Sequence, residues 1–133
     1  MTNTRETVDT FFAHFGSGNL EGVVAAFADN VDFLVAGAPN VPWTGARNTR
    51  DEVADFFTLL MQGGLTEPEE FVVEATIVDG DQAVVTGHSR FRVVATGKSF
   101  ENPFAIHFTV RDGQLTRYYM HEDSYAISEA FAA

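Results

Sequence analysis

Apolar residues in the first half of the chain recur at helical spacing. Val8, Phe11, Phe12 and Phe15 fall at i, i+3, i+4 and i+7, which predicts a helix over Asn3–Phe15 with one apolar face. Asn3 followed by Glu6 resembles a capping box, and Gly16 and Gly18 supply the stop. Asn19 opens a second predicted helix whose stripe is Leu20, Val23, Val24 and Phe27, with Asp29-Asn30 as its end. A short strand, Val31–Val35, leads into a loop from Gly37 to Gly45 that contains Pro39, Pro42 and Trp43. Thr49–Glu52 is a second capping box, ahead of the stripe Val53, Phe56, Phe57 and Leu60 that Gly63-Gly64 closes.

The second half changes period from 3.6 to 2. Phe71, Val73, Ala75 and Ile77 alternate with Glu70, Val72, Glu74 and Thr76. Turn signals at Asp79-Gly80, Gly97-Lys98 and Asp112-Gly113 separate strands predicted at Gln82–Ala95, Phe100–Arg111 and Leu115–Asp123. Ser124–Phe131 reads as a short C-terminal helix. Three helices followed by a hairpin meander imply an α+β fold in one domain, residues 1–133, with the helices on one face of a mainly antiparallel sheet.

Alternation also assigns faces. Phe104, Ile106, Phe108 and Val110 share one face of their strand and must meet the helices, while Ala105, His107, Thr109 and Arg111 share the other. A two-residue turn at Gly97-Lys98 would set His107 opposite His88 and Ala105 opposite Arg90. That puts His88, Arg90 and Arg92 outside, with Gly87, Ser89, Phe91 and Val93 inside. The last strand stays open, because one bulged residue inverts its parity. One setting sends Tyr118, Met120 and Glu122 inward; the other sends Arg117, Tyr119, His121 and Asp123. The first buries less charge.

Composition narrows the function. The chain of 133 residues has 8 Lys+Arg against 19 Asp+Glu and a net charge of −11. Without a basic cluster, neither nucleic acid nor an anionic membrane is an expected partner. The absence of Cys removes disulfides, thiol catalysis and Cys-type metal sites. The longest apolar run, Val23–Ala28, is far short of the ~20 residues of a membrane span. Met1–Val8 is polar, so no signal peptide is expected and a cytoplasmic location is. Thirteen phenylalanines supply an unusually aromatic core.

Several segments resemble one family. Asn19-Leu20-Glu21-Gly22 with Phe27-Ala28-Asp29-Asn30-Val31, then Trp43-Thr44-Gly45, then Val110-Arg111-Asp112-Gly113-Gln114-Leu115 with Asp123, are similar in order and spacing to the SnoaL-like branch of the NTF2-like superfamily. The resemblance implies a cone of helices around a curved sheet enclosing an apolar pocket, and it favours the inward setting of Tyr118, Met120 and Glu122. It also implies absences. Matching to ketosteroid isomerases puts Phe11, Val35 and Ile106 where the oxyanion tyrosine, the base aspartate and the oxyanion aspartic acid belong. Matching to limonene-epoxide-hydrolase-like enzymes puts Val35, Gly37, Gly87, Ser89 and Met120 at their five polar positions. Neither mechanism is expected, and fold alone does not select another.

The expected pocket lining is Phe33, Trp43, Ser89, Phe91, Phe104, Ile106, Phe108 and Met120, around Tyr118 and Glu122. Glu122 is the expected acid–base group if desolvation in that pocket raises its pKa; at the strand rim beside Asp123 it is an ordinary solvated carboxylate. Tyr118 either donates to a ligand carbonyl or bonds a backbone carbonyl within the core. Trp43 is a pocket lid or plain core. Ser89 is the one small inward hydroxyl of its strand, but no inward histidine is present to activate it. His88 and His107, read as cross-strand neighbours, suit a subunit interface better than a metal site, for which no third ligand is fixed. His14 lies off its helical stripe and reads as solvated. The expected partners are a small apolar, carbonyl-bearing ligand and a second copy of the chain, contacted through the outer sheet face at His88, Arg90 and His107. No cofactor and no metal are expected. Proton-transfer enzyme, non-catalytic binder and dimerisation module all remain open.

Overall fold

The computed structural model describes residues 3–133; Met1 and Thr2, the start of the polar segment, lie outside the described residues. Helix α1 spans Thr4–Gly16, and its capping box forms as the spacing predicts: the Glu6 N–H donates to Asn3 Oδ1 at 2.8 Å, and Asn3 Nδ2 donates to Glu6 Oε1 at 3.0 Å. Helix α2, Leu20–Ala25, is capped by Asn19, whose Oδ1 accepts from the Gly22 N–H. It ends earlier than its apolar stripe suggests. Phe27 instead opens strand β1, Phe27–Val35, because the backbone there is drawn into the sheet: the Leu115 N–H donates to the Ala26 carbonyl at 2.8 Å and Phe27 pairs with Leu115. Phe27 is buried in either conformation, so its hydrophobicity alone does not distinguish them.

Strand β2, Gly45–Thr49, occupies what reads as the end of a loop. Its five residues are polar or small and none is buried, so they carry no alternation. Thr49 then caps helix α3, Arg50–Gln62. Strands β3 (Thr66–Asp79), β4 (Gln82–Val93), β5 (Ser99–Arg111) and β6 (Gln114–His121) follow, and helix α4, Ser124–Phe131, ends the chain. Of the three helices expected in the N-terminal half, two precede β1, while α3 follows both β1 and the unexpected strand β2; α4 is the C-terminal helix read from Ser124–Phe131. The strands form one sheet in the order β2-β1-β6-β5-β4-β3, antiparallel except for the parallel pair β1 and β6.

Three details of register decide which side chains meet. The β4–β5 hairpin closes at Arg92 and Ser99 through a longer connection than two residues, in which the Val93 N–H donates to the Lys98 carbonyl and the Gly97 N–H to the Val93 carbonyl, both at 2.8 Å. The register therefore slides by four. His88 faces Pro103, His107 faces Val84 and Ala105 faces Thr86, so the expected His88–His107 and Arg90–Ala105 pairs do not form. An even slip keeps every face as assigned. Between β5 and β6, Asp112 (φ 52°) and Gly113 (φ 74°) make a two-residue turn of the left-handed kind. One extra residue, Thr116, bulges β6 between the pairs Thr109–Arg117 and Val110–Leu115. This bulge turns Tyr118 inward and Tyr119 outward. In β3, single extra residues at Glu69 and Glu74 invert parity twice. Phe71 and Val73 face in opposite Ser89 and Gly87, whereas Ala75 and Ile77, expected on the same face, lie outside opposite Thr86 and Val84.

The helices and the inner sheet face enclose an aromatic core. Tyr118 stacks on Phe33, ring centroids 4.7 Å apart and planes 6° from parallel, and meets Phe11, Phe27, Phe57 and Phe108 within 6.0 Å. Each such pair contributes about 0.5–1.5 kcal/mol beyond the area it buries.

Candidate active site

A pocket lies between the inner sheet face and the helices. Its polar atoms come from few places: Glu122 just after β6, Tyr118 on β6, Asn102 on β5, Ser89 on β4, Thr66 on β3 and Trp43 in the β1–β2 connection. The rest of the wall is apolar, supplied by Phe11, Phe12 and Phe15 of α1, Phe56 and Leu60 of α3, and Phe71, Phe91, Phe100, Ile106 and Met120 of the sheet.

Trp43 is held by its loop. The Thr44 hydroxyl donates within 3.1 Å of the Ala38 and Val41 carbonyls, and the Thr44 methyl sits where a Cβ on Gly37 would intrude. The indole packs edge-on against Phe131 of α4 at 5.2 Å. Asn40 and Ser128, joined by two hydrogen bonds, fasten the same loop to α4.

Glu122 is half-buried, and its carboxyl group faces the pocket. Burial pushes its pKa up to about 7, against the smaller opposing influence of hydrogen bonding from the Asn102 amide and the Trp43 indole. Asn102 Nδ2 donates to Glu122 Oε1 at 3.1 Å. Burial, and then the Glu122 charge, push the Tyr118 phenol well above its ordinary range, so it stays protonated and serves as a donor. Tyr118 and Ser89 are each only 4 % exposed, and both border the pocket. A carboxyl group with a pKa of about 7 near a protonated phenol is an arrangement that can do acid–base chemistry next to a carbonyl group.

Of the expected lining, Trp43, Ser89, Phe91, Ile106 and Met120 border the pocket together with Tyr118 and Glu122. Phe33, Phe104 and Phe108 do not. Phe33 and Phe108 are consumed in packing around Tyr118, and Phe104 stacks on Phe71. The free volume is correspondingly small, about 50 Å³, against the ~300–1,000 Å³ expected of a ligand site. Helix-borne rings from α1 and α3 fill the space that those wall positions imply. Phe11, Val35 and Ile106 are buried and apolar, as the mismatch with the isomerases requires.

Asn102 is a polar pocket residue that sequence reasoning missed. It shares strand parity with Phe104 and Ile106, so a polar residue on the inward register was the available signal.

On the outer face, His88 stands between two carboxylates, Nε2 at 2.9 Å from Glu70 and Nδ1 at 2.8 Å from Glu74. Glu74 first, then Glu70, raise its pKa. Glu70 faces Arg90 in register, yet Arg90 pairs with Glu69 and Glu101 instead. His107 bonds Gln82 at 2.7 Å; burial, then Arg117 and His121, lower its pKa. His14 bonds Asn19 through Nδ1 at 3.1 Å.

The sequence profile of the SnoaL-like domain matches residues 8–118, a span that ends four residues before Glu122. No curated protein matches the chain. Among solved structures, an NTF2-like protein from Burkholderia xenovorans LB400 is similar over 99% of this chain and 100% of its own, with a TM-score of 0.86 at 22% identity. TerC, crystallised with polyporic acid, is similar over 98% of both chains, with a TM-score of 0.82 at 21% identity. A candidate polyketide cyclase from Pseudomonas putida KT2440 is similar over 99% of both, with a TM-score of 0.77 at 18% identity. With most of its length matched, the chain belongs to the SnoaL-like domain family and has the NTF2-like α+β fold built on a curved sheet.

Proposed function

We propose that this domain binds a small apolar molecule carrying a carbonyl group and transfers a proton on it through Glu122. The observation that carries the reading is a carboxyl group with a pKa near 7 in a pocket otherwise lined mainly by aromatic rings. As carboxylate, Glu122 removes a proton from the carbon beside the carbonyl; the Tyr118 phenol donates to the carbonyl oxygen as charge develops there. Glu122 then returns the proton at the same or a neighbouring atom. No other group needs to change charge. Side chains at the pocket rim, Phe12, Phe15, Leu60, Phe71, Phe91 and Met120, swing aside to admit a ligand larger than the present free volume. The names of TerC's co-crystallised ligand and of the Pseudomonas protein are in keeping with this ligand class.

Deuterium uptake from D2O into a panel of enolisable cyclic ketones and hydroxyquinones tests the reading. Wild-type protein is expected to accelerate uptake with a rate that rises through pH ~7, and Glu122→Gln to lower it ~10²-fold or more. An unchanged rate in the variant rejects Glu122. Binding without uptake in any panel member favours the non-catalytic binder.

A second proposal concerns assembly. The outer face carries half-buried Leu34, Val84, Ala105, His107 and Tyr119 with no covering element among the described residues. That mixture suits an isologous contact with a second copy. His107, neutral near pH 7 because its pKa is lowered, opposes the contact once protonated. Sedimentation should show a dimer at pH 7.5 that weakens at pH 5.5. A monomer at both values discards the interface.

A further inference from the structure

Asn102 is a polar side chain in an apolar wall, only 2 % exposed. The Asp123 backbone N–H donates to its Oδ1 at 3.0 Å. That bond leaves the amide one orientation, with Nδ2 turned to Glu122 Oε1 at 3.1 Å. Asp123 in turn caps α4, its Oδ1 accepting from the Ala126 N–H at 3.0 Å. A single side chain of β5 thus ties the pocket carboxyl group to the corner where β6 passes into α4. Residue type matters here. A hydrophobic side chain would leave the Asp123 N–H and Glu122 Oε1 without this partner, and a carboxylate would meet Glu122 with like charge.

We propose that Asn102 is a positioning residue for Glu122: its orientation-locked amide holds the carboxyl group inside the pocket and stabilises the charged form. The functional meaning rests on the reading of Glu122 as the proton-transferring group, but the coupling itself does not require a substrate. Beyond tying two segments together, Asn102 then decides how readily Glu122 gives up its proton, which a purely structural tie would not.

NMR titration of the whole chain separates these roles. In the wild type, the Asn102 Nδ2 protons should shift with the same midpoint as the Glu122 carboxyl carbon; Nδ2 signals indifferent to that titration overturn the proposal without any variant. Asn102→Asp keeps an oxygen acceptor for the Asp123 N–H but replaces the donor with a second carboxyl group. The pair should then titrate in two steps, the upper at least ~1 pH unit above the wild-type midpoint. A Glu122 curve superimposable on wild type in folded Asn102→Asp also overturns the proposal. If Glu122→Gln leaves deuterium uptake intact while the titrations behave as expected, the catalytic reading fails and the positioning role stands. If uptake is lost in Glu122→Gln but Asn102→Asp leaves the titration and the pH–rate profile unmoved, the positioning role fails alone.

Discussion

The two faces of the sheet treat carboxylates in opposite ways. On the inner face, Glu122 has one firm hydrogen bond and little water, and its charge is held at a cost. On the outer face, Asp32 accepts from the Tyr119 hydroxyl at 2.9 Å and from Arg117 at 3.4 Å, while Glu70 and Glu74 hold both nitrogens of His88. These outer pairs are part-exposed, and water and salt screen them. Hydrogen bonds alone therefore do not set a carboxylate's proton affinity. The pKa of Glu122 is moved to about 7 because removal of water outweighs the bonds that replace it.

That contrast extends to packing and can be broken at several scales. The largest effect is expected for Phe108→Ala: Phe108 is fully buried among Phe11, Phe12 and Tyr118, and its loss should cost ~3–5 kcal/mol in urea denaturation. Ile77→Ala, at a side chain 60 % exposed on the outer face, should change stability by only ~0.5 kcal/mol. Equal costs would contradict the assignment of inner and outer faces.

Next in size is the pH dependence that Glu122 confers. Burial moves its carboxyl group from an ordinary value of 4.5 up to about 7 in the folded chain, so the folded state holds an extra proton between these values. The associated stability is fully present below the lower value and lost as pH rises through the upper one. From pH 5 to 8, wild type should lose on the order of 2 kcal/mol relative to Glu122→Gln, after allowance for partial solvation. Parallel curves for the two proteins would remove the inner face's distinction.

The smallest effect distinguishes two outer histidines. Imidazole NMR should place His88 above 6.5 and His107 below it. Stability from the His88 contacts is present at acid pH and lost as pH rises through its raised pKa; that from neutral His107 is lost as pH falls through its lowered one. Glu74→Gln should return His88 toward 6.5 and leave His107 in place. Coincident midpoints near 6.5 would mean that water, rather than these neighbours, sets the charges outside.

Much of this arrangement was legible in the sequence. Capping residues located α1, α2 and α3, and strict alternation in β5 separated Phe104, Ile106 and Phe108 from Ala105, His107 and Thr109. Glu122, Tyr118 and Trp43 could be brought to one pocket from parity together with the family resemblance. What remained hidden has physical causes. A bulge has no composition of its own, so the inversions at Glu69, Glu74 and Thr116 leave no trace until the partner strand is present. Gly97-Lys98 looks like a complete two-residue turn, yet Gly97 (φ 74°) is only the last bend of a longer connection. Strand β2 lacks apolar residues to alternate. Asn102 shares the inward register with Phe100, Phe104, Ile106 and Phe108, whose apolar run makes that face look uniformly hydrophobic.

The Thr116 bulge has a consequence for how this chain can vary over evolutionary time. Deleting that one residue would leave Leu115 opposite Val110 and Arg117 opposite Thr109, a regular ladder in which Tyr118, Met120 and Glu122 keep the inner face. The bulge is thus a place where β6 can lose a residue without exchanging its two faces. The β4–β5 connection tolerates change only in steps of two, since an odd change there inverts parity. Natural length variation should therefore be of one residue at the bulge and of even numbers around Gly97.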